Sequence, residues 1–420
     1  MNVEIKRYFN EFFLLAFGMA FFSGASFLAN VFSAKILGPE IFGIWNFLYL
    51  FIIYGSFLHL GVLNGMGRQI PYYIGDKKPE IVEKIKKISF VVVVGAGIFF
   101  FLCSVVSIFF IKTNYLIKIC LPLTGLLFLT SEIQAYTRMY LRSILDFKAL
   151  SKQFIASGFF LMMLIYPLVK LFSLPGLILA QIFSFGIATI LFLNPPKIDL
   201  ALLSEKEISY PLIKIGFPIM MAGYLYMLLT SLDRWIIAGY LGTKQLGYYS
   251  LVIITLGVIT LLPRVISTLI YPRMVKEFGH TRDERNLVCY VKKQFLGSYV
   301  VAIPLFLLFY LLFPSFVKKF MPAYIPGIEA MKIVLWGTLF LPLGSSFGDF
   351  LNTTGRQNYY LSVQAISVAI NFILTYTFVT KMDMGIQGAA LGTAITYFFY
   401  SICLAFISWR LVLAKIWTLY

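Results

Sequence analysis

The sequence is poor in charged residues and in cysteine. Only 13% of its 420 residues are charged, whereas a soluble domain carries about a quarter. With a mean hydropathy of +0.86, its apolar side chains could not all be hidden in one core, which excludes a water-soluble fold. The four cysteines form no CxxC pair, so we expect neither disulfides nor a cysteine-based metal site.

Long apolar runs follow one another along the whole chain. A membrane-spanning helix needs about 20 mostly apolar residues, and the sequence supplies twelve runs of about that length. It is therefore expected to be an all-α polytopic membrane protein without a soluble domain. The predicted spans are 12–36, 42–69, 88–111, 115–139, 154–171, 174–193, 217–241, 246–271, 295–317, 328–351, 359–379 and 385–409.

The basic residues indicate an orientation. With the N-terminus placed in the cytoplasm, 24 of the 35 Lys and Arg fall on inner segments and nine on outer loops. Lys and Arg concentrate on the cytoplasmic side of membrane proteins, so both termini are predicted to be cytoplasmic. The net charge of +17 therefore follows membrane topology and does not indicate a nucleic-acid partner.

The two halves of the chain resemble each other. Leu37-Gly38, Gly43 and Trp45 recur at the same spacing as Leu241-Gly242, Gly247 and Tyr249, an offset of 204 residues. Two weaker matches follow in the same order, at offsets of up to 212: 141–151 with 351–362, and 176–180 with 388–392. The predicted domains are a six-helix bundle at 1–196, a cytoplasmic connector at 197–213 and a second bundle at 214–420.

An offset of six spans preserves orientation, so the two bundles are expected to be parallel repeats. Transporters commonly use such repeats, with the substrate path between the halves. A duplicated channel or receptor would show the same pattern.

Several segments resemble polysaccharide repeat-unit flippases, the O-antigen and capsule type. These belong to the polysaccharide transport branch of the MOP (multidrug, oligosaccharidyl-lipid, polysaccharide) superfamily. The resemblance covers essentially the whole chain and rests on 34–45 (AKILGPEIFGIW), 61–68 with the basic loop after it, 232–237 (LDRWII), 351–357 (LNTTGRQ) and 385–390 (GIQGAA).

The resemblance implies a MATE-like fold of two six-helix bundles in the inner (cytoplasmic) cell membrane. It also implies transfer of undecaprenyl-diphosphate-linked oligosaccharide to the outer leaflet by alternating access, for surface polysaccharide or lipopolysaccharide O-antigen biosynthesis. No cofactor is implied, and an H+ or Na+ gradient is the candidate energy source. The implied partners are the lipid-linked oligosaccharide and membrane lipids, with a glycan polymerase and chain-length regulator proteins as further candidates.

Charged residues inside the spans are the first candidates for function, because charge is costly in a bilayer. Arg264, which follows Pro263, is the main substrate-binding candidate, since a guanidinium can hold two phosphate oxygens at once. Alternatively, it reaches the inner headgroups or pairs with a carboxylate. Arg234 and Asp233 are further cavity candidates, for which a structural role in closing the outer gate is equally open.

Glu132 is the only carboxylate near the centre of a span in the first half, and it is a candidate for proton coupling. The alternative is a hydrogen-bonded structural acid. Four arginines at predicted inner helix ends are topology anchors that together could line an inner vestibule: Arg68, Arg138, Arg142 and Arg356.

Two other functions remain open at this point. A cation-coupled multidrug exporter of the same superfamily should present acidic residues in its cavity, whereas the intramembrane charges here lean basic. A membrane glycan polymerase or ligase usually has a large charged outer loop, but the longest predicted outer loop is only 318–327. No catalytic residues and no metal site are predicted, because the sequence has no Asp-x-Asp pair, Ser/His/Asp set or phosphate-binding Gly loop.

Overall fold

The protein is described by a computed structural model that covers residues 2–75, 77–110, 114–193, 195–196, 205–281 and 283–417. Within these ranges the secondary structure is helical, with no strand, and nine helices are long and apolar enough to span a membrane. The all-α, multi-pass prediction is confirmed. Part of the predicted connector, 197–204, lies outside the described residues.

The first half forms five helices: α1 (Asn2–Gly55), α2 (Val62–Gly75), α3 (Pro79–Phe110), α4 (Tyr115–Ser143) and α5 (Phe147–Ile190). Two of them, α1 and α5, each join two predicted spans across a kink, at Gly38 and Ser173. Predicted span two, in contrast, is interrupted. Leu60 (φ 50°) and Gly61 (φ 79°) are both left-handed, which ends the helix before α2 begins.

The described residues of the second half form nine helices: α6 (Lys206–Ile236), α7 (Thr243–Ile259), α8 (Leu261–Thr281), α9 (Val288–Leu307), α10 (Phe313–Phe320), α11 (Ile328–Thr338), α12 (Leu341–Thr353), α13 (Gln357–Tyr376) and α14 (Gly385–Trp417). Predicted spans eight and ten are each broken near their middle. Span eight becomes α7 and α8, and span ten becomes α11 and α12.

The chain forms two compact units. The first unit comprises Met1–Leu37 and Leu48–Gly223, and the second comprises Gly38–Phe47 and Tyr224–Tyr420. In the first unit, α2, α3 and α4 bury a shared apolar core that includes Met66, Ile85, Val93 and Tyr136, each at most 1% exposed.

In the second unit, the two copies of the repeated hairpin pack directly against each other. Gly38 and Gly242 have nearly the same conformation (φ 72°, ψ 170° and φ 86°, ψ 170°), which favours glycine. A Cβ on Gly43 would collide with the carbonyl oxygen of Thr243, and a Cβ on Gly247 would collide with that of Pro39. These contacts are related by the same 204-residue offset, so each copy makes the same contact with the other.

The weaker repeat matches also share residues with a positive φ. At an offset of 210, Leu145 (φ 60°) corresponds to Gly355 (φ 75°), and at 212, Ser173 (φ 58°) corresponds to Gly385 (φ 56°). The turns after α4 and α12 even share hydrogen bonds. The amide of Asp146 donates to Leu141 O (2.9 Å), as that of Arg356 does to Leu351 O (2.8 Å). The sequence repeat is therefore also a structural one.

Replacing Gly247 by alanine is expected to lower the free energy of unfolding by about 1–3 kcal/mol, because the new methyl group meets backbone that cannot rotate away. Gly257 in the same helix is the matched control, since a Cβ there has no neighbour within 4 Å. Gly257→Ala should be neutral or stabilise by up to about 1 kcal/mol. Thermal unfolding of the purified protein in detergent measures both, and equal midpoints for the two variants would contradict the contact.

Candidate functional site

The second unit contains a partly open cavity of about 180 Å³, here called the polar cavity after the polar side chains that line it. Its walls come from seven helices, α6 to α8 and α11 to α14, which correspond to five of the predicted spans. Side chains that carry polar groups make up much of the lining: Tyr226, Thr260, Arg264, Ser267, Thr338, Ser345, Asp349, Tyr360 and Tyr400. At about 30 Å³ per water molecule, the cavity has room for roughly six waters. A group of that size, such as one phosphate, can therefore enter it.

Two proline-containing breaks shape this cavity. Pro263 and Pro342 lack an amide hydrogen, so the carbonyls one turn earlier, those of Ile259 and Thr338, lose their usual helical partners. Both of these residues line the cavity. Irregular backbone at membrane depth is tolerated where it lines a polar cavity, and this explains why the breaks and the cavity coincide.

Arg264 projects into the cavity directly after the α7–α8 break. Its backbone amide donates to Thr260 O at 3.2 Å, and its side chain is exposed. Three tyrosines surround the same space, and the hydroxyl of Tyr400 donates to that of Tyr360 at 3.5 Å. Tyr226 lines the same cavity as Arg264. The site thus combines one cation with aromatic rings and hydroxyl groups.

Asp349 is a cavity residue that the sequence did not single out. Ser267 Oγ donates to its Oδ2 at 2.5 Å, and Gln294 Nε2 donates to the same oxygen at 2.7 Å. The second oxygen, Oδ1, takes part in neither bond. The available signal was a carboxylate inside predicted span 328–351, but its position near the span's end resembled that of a headgroup-facing residue.

Asp233 and Arg234 lie outside the lining of this cavity. The Asp233 carboxylate is 2% exposed and accepts hydrogen bonds from Tyr249 Oη (2.5 Å), Thr393 Oγ1 (3.0 Å) and the Arg234 amide (2.9 Å). The Arg234 side chain turns back to Thr230 O, with Nη2 at 3.5 Å. The two side chains form no ion pair among the described contacts, as expected for helix neighbours about 100° apart.

The first unit holds a separate polar cluster. The Arg138 guanidinium lies over the rings of Phe154 (4.2 Å) and Phe22 (4.8 Å), and its Nη2 donates to Ser157 Oγ at 3.2 Å. These contacts hold Arg138 inside its unit, where the sequence suggested a helix-end anchor. Glu132 is 5% exposed, and within the described part of the chain its Oε2 has no hydrogen-bond partner.

The other predicted vestibule arginines have different surroundings. Arg68 and Arg142 are exposed on α2 and at the end of α4. Arg356 forms an ion pair with Glu284 at 2.8 Å, with both side chains about one-fifth exposed. The structure therefore brings Arg356 to a carboxylate partner.

A comparison with known protein families decides the classification. The model of the family described as polysaccharide biosynthesis protein matches residues 32–322. The chain belongs to this family. The resemblance stated from the sequence is thus confirmed for more than half of the chain.

Solved structures of transporters share the family member's fold. An inward-facing multidrug resistance MATE transporter of the MOP superfamily matches with a TM-score of 0.75 and 14% identity, covering 93% of this chain and 95% of that one. A MOP superfamily transporter from Pyrococcus furiosus, described as having a binding pocket of reverse polarity, matches with a TM-score of 0.65, 14% identity and 96% coverage of both chains. The predicted MATE-like fold is therefore confirmed.

One curated relative is similar over part of its length. The uncharacterized membrane protein MJ1068 of Methanocaldococcus jannaschii is 26% identical over 190 residues, which are 40% of this chain and 37% of that protein. The match thus spans well under half of that relative.

Removing the Asp349 carboxylate should leave its two hydrogen-bond donors, Ser267 and Gln294, without an acceptor. Asp349→Ala is expected to lower the free energy of unfolding by about 1–3 kcal/mol, because Gln294 is fully buried and its amide would lose its acceptor. Asp349→Asn is the matched control, since one amide oxygen can still accept both bonds. Thermal unfolding in detergent compares them, and an alanine variant as stable as the asparagine variant would count against this hydrogen-bonded arrangement.

Proposed function

We propose that this family member is a flippase for lipid-linked oligosaccharides. It would move undecaprenyl-diphosphate-linked repeat units from the inner to the outer leaflet of the cytoplasmic membrane by alternating access. The surface polysaccharide assembled from these units would be of the O-antigen or capsule type.

The observation that carries this proposal is the presence of Arg264 in a tyrosine-rich cavity inside a set of membrane spans. A diphosphate is anionic, and a guanidinium binds its oxygens in a planar, bidentate geometry. Tyrosine rings offer an apolar face to a sugar and a hydroxyl for its polar edge. Asp349 and Ser267 add acceptors and donors of the kind that sugar hydroxyls require.

The remaining features of the proposal follow from the charge pattern and the family. Both termini would lie in the cytoplasm, together with the segments that hold most of the Lys and Arg residues. Transport would need no bound cofactor and would draw on an H+ or Na+ gradient, with Glu132 as the candidate proton carrier. A glycan polymerase and chain-length regulators would take over the product at the outer leaflet.

Transport is proposed here in place of catalysis. A polymerase or ligase would need reactive groups at an outer loop, and the polar groups described above lie instead inside the second unit. A multidrug exporter would favour a cationic substrate, for which Arg264 is unsuitable because like charges repel. Asp349 alone does not reverse this preference, because Ser267 and Gln294 already stabilise its charge.

Replacing Arg264 by glutamine is expected to reduce transfer of a fluorescent undecaprenyl-diphosphate oligosaccharide at least about tenfold, because a charged hydrogen bond contributes about 1.5–3 kcal/mol. Transfer is measured in proteoliposomes as the label that becomes accessible on the opposite leaflet. The matched control is Arg285→Gln, which removes an exposed arginine paired with Asp283 in the α8–α9 loop.

Deletion of the gene supplies the cellular test. Lipid-linked glycan should accumulate in the inner leaflet of the deletion strain while surface glycan falls. Normal surface glycan in that strain, or full transfer by Arg264→Gln at normal protein level, would refute the respective part of the proposal. Transport of a lipophilic cation without transfer of the lipid-linked glycan would favour the exporter.

A further inference from the structure

Helix α12 separates two sites of opposite character. Leu341, Pro342, Ser345 and Asp349 line the polar cavity. On the other side of the helix, three residues line a second depression of about 330 Å³, here called the apolar groove: Leu343, Phe347 and Phe350. At 100° per residue these two sets point in roughly opposite directions, as the helical period requires.

The apolar groove is completed by α9 and α14. Val288, Val291 and Phe295 form one wall and Trp409 forms the other, so that hydrocarbon and aromatic rings dominate its surface. Val288 is 45% exposed and Trp409 is 54% exposed. The groove is therefore open along one side, where a membrane protein meets lipid chains.

The rim of the groove carries a positive charge. Among the described residues that line it, Lys292 is the one that carries a charge, and its side chain is exposed. Lys293 follows it on α9 and Arg410 follows Trp409 on α14, where its guanidinium lies over the ring of Phe406 at 5.5 Å. Tryptophan and basic residues typically meet at the level of lipid headgroups. An occupant should accordingly combine an apolar chain with an anionic head.

We propose that the apolar groove binds the polyprenyl chain of the lipid carrier while the polar cavity receives part of its head. This inference rests on the proposed flippase function and adds a second binding site to it. A chain without polar groups suits a groove whose walls offer almost no hydrogen-bonding partners, whereas a peptide segment would leave its backbone unsatisfied there.

The two sites are close enough for one molecule to reach both. Asp349 and Phe350 are consecutive residues, yet the first faces the cavity and the second faces the groove. Both lie in the last turns of α12, which ends at Thr353. One helix diameter, about 10 Å, therefore separates the sites.

The inference is tested by filling the groove. In Leu343→Trp, the larger side chain should occupy the space of the prenyl chain. The concentration of undecaprenyl phosphate that half-maximally raises the unfolding temperature of the purified protein should then increase at least about tenfold. A factor of that size corresponds to losing the burial of only two methylene groups of the prenyl chain. Ile366→Trp on α13, which replaces a half-exposed residue outside the groove lining, should leave the concentration unchanged.

A second variant distinguishes a filled groove from a misfolded protein. Val288→Trp places the bulk at the open mouth of the groove and should have the same effect as Leu343→Trp. Unchanged binding by a folded groove variant would overturn the inference. So would equal competition by phosphatidylglycerol, which would indicate a general site for lipid chains.

The outcome does not depend on transport. If the wild-type protein binds undecaprenyl phosphate through the groove but transfers no lipid-linked oligosaccharide, the flippase proposal fails and the chain-binding site stands. If transfer occurs and Leu343→Trp and Val288→Trp both bind undecaprenyl phosphate normally, the chain-binding site is refuted and the flippase proposal stands.

Discussion

The structure depends on the requirement that backbone N–H and C=O groups be hydrogen-bonded inside a bilayer, where each unsatisfied group costs several kcal/mol. This requirement makes helices the default for nearly every apolar run in the chain. It also restricts where helices can break, because the freed backbone groups need polar surroundings. In the second unit, the breaks before Pro263 and Pro342 free carbonyl groups, and both breaks border the polar cavity. The cavity is thus formed where the helical hydrogen bonding is interrupted.

The membrane also determines how the two copies of the repeated hairpin pack. Close helix packing in a membrane relies on small residues, because lipid provides no hydrophobic force between apolar surfaces. Gly43 and Gly247 allow the two copies of the repeated hairpin to approach backbone to backbone. Duplication has preserved this contact, whereas the polar groups have diverged. At the offset of 204 residues, Arg264 of the second half corresponds to Leu60 in the first half.

Helix α12 shows how one element can serve an amphipathic ligand. Its polar face carries Asp349, supported by Ser267 and Gln294, and its apolar face carries Leu343 and Phe347, which are only partly buried. A soluble protein would bury that apolar face in its core. In a membrane it can remain open, because its surroundings are lipid chains. The proposed carrier has the same division between a polar head and a long apolar chain.

The sequence by itself determined the fold class, the approximate number and order of spans, the repeat and the family, because hydropathy and spacing are local and additive properties. It also identified Arg264 as a charge inside a span. Only the tertiary structure decided which charges share a site. Asp349 joins Arg264 in the cavity, whereas Asp233 is bound by Tyr249 and Thr393, residues 16 and 160 positions away. Such partners are distant in the chain, so a side chain's environment follows from helix packing and helix breaks, which hydropathy alone does not encode.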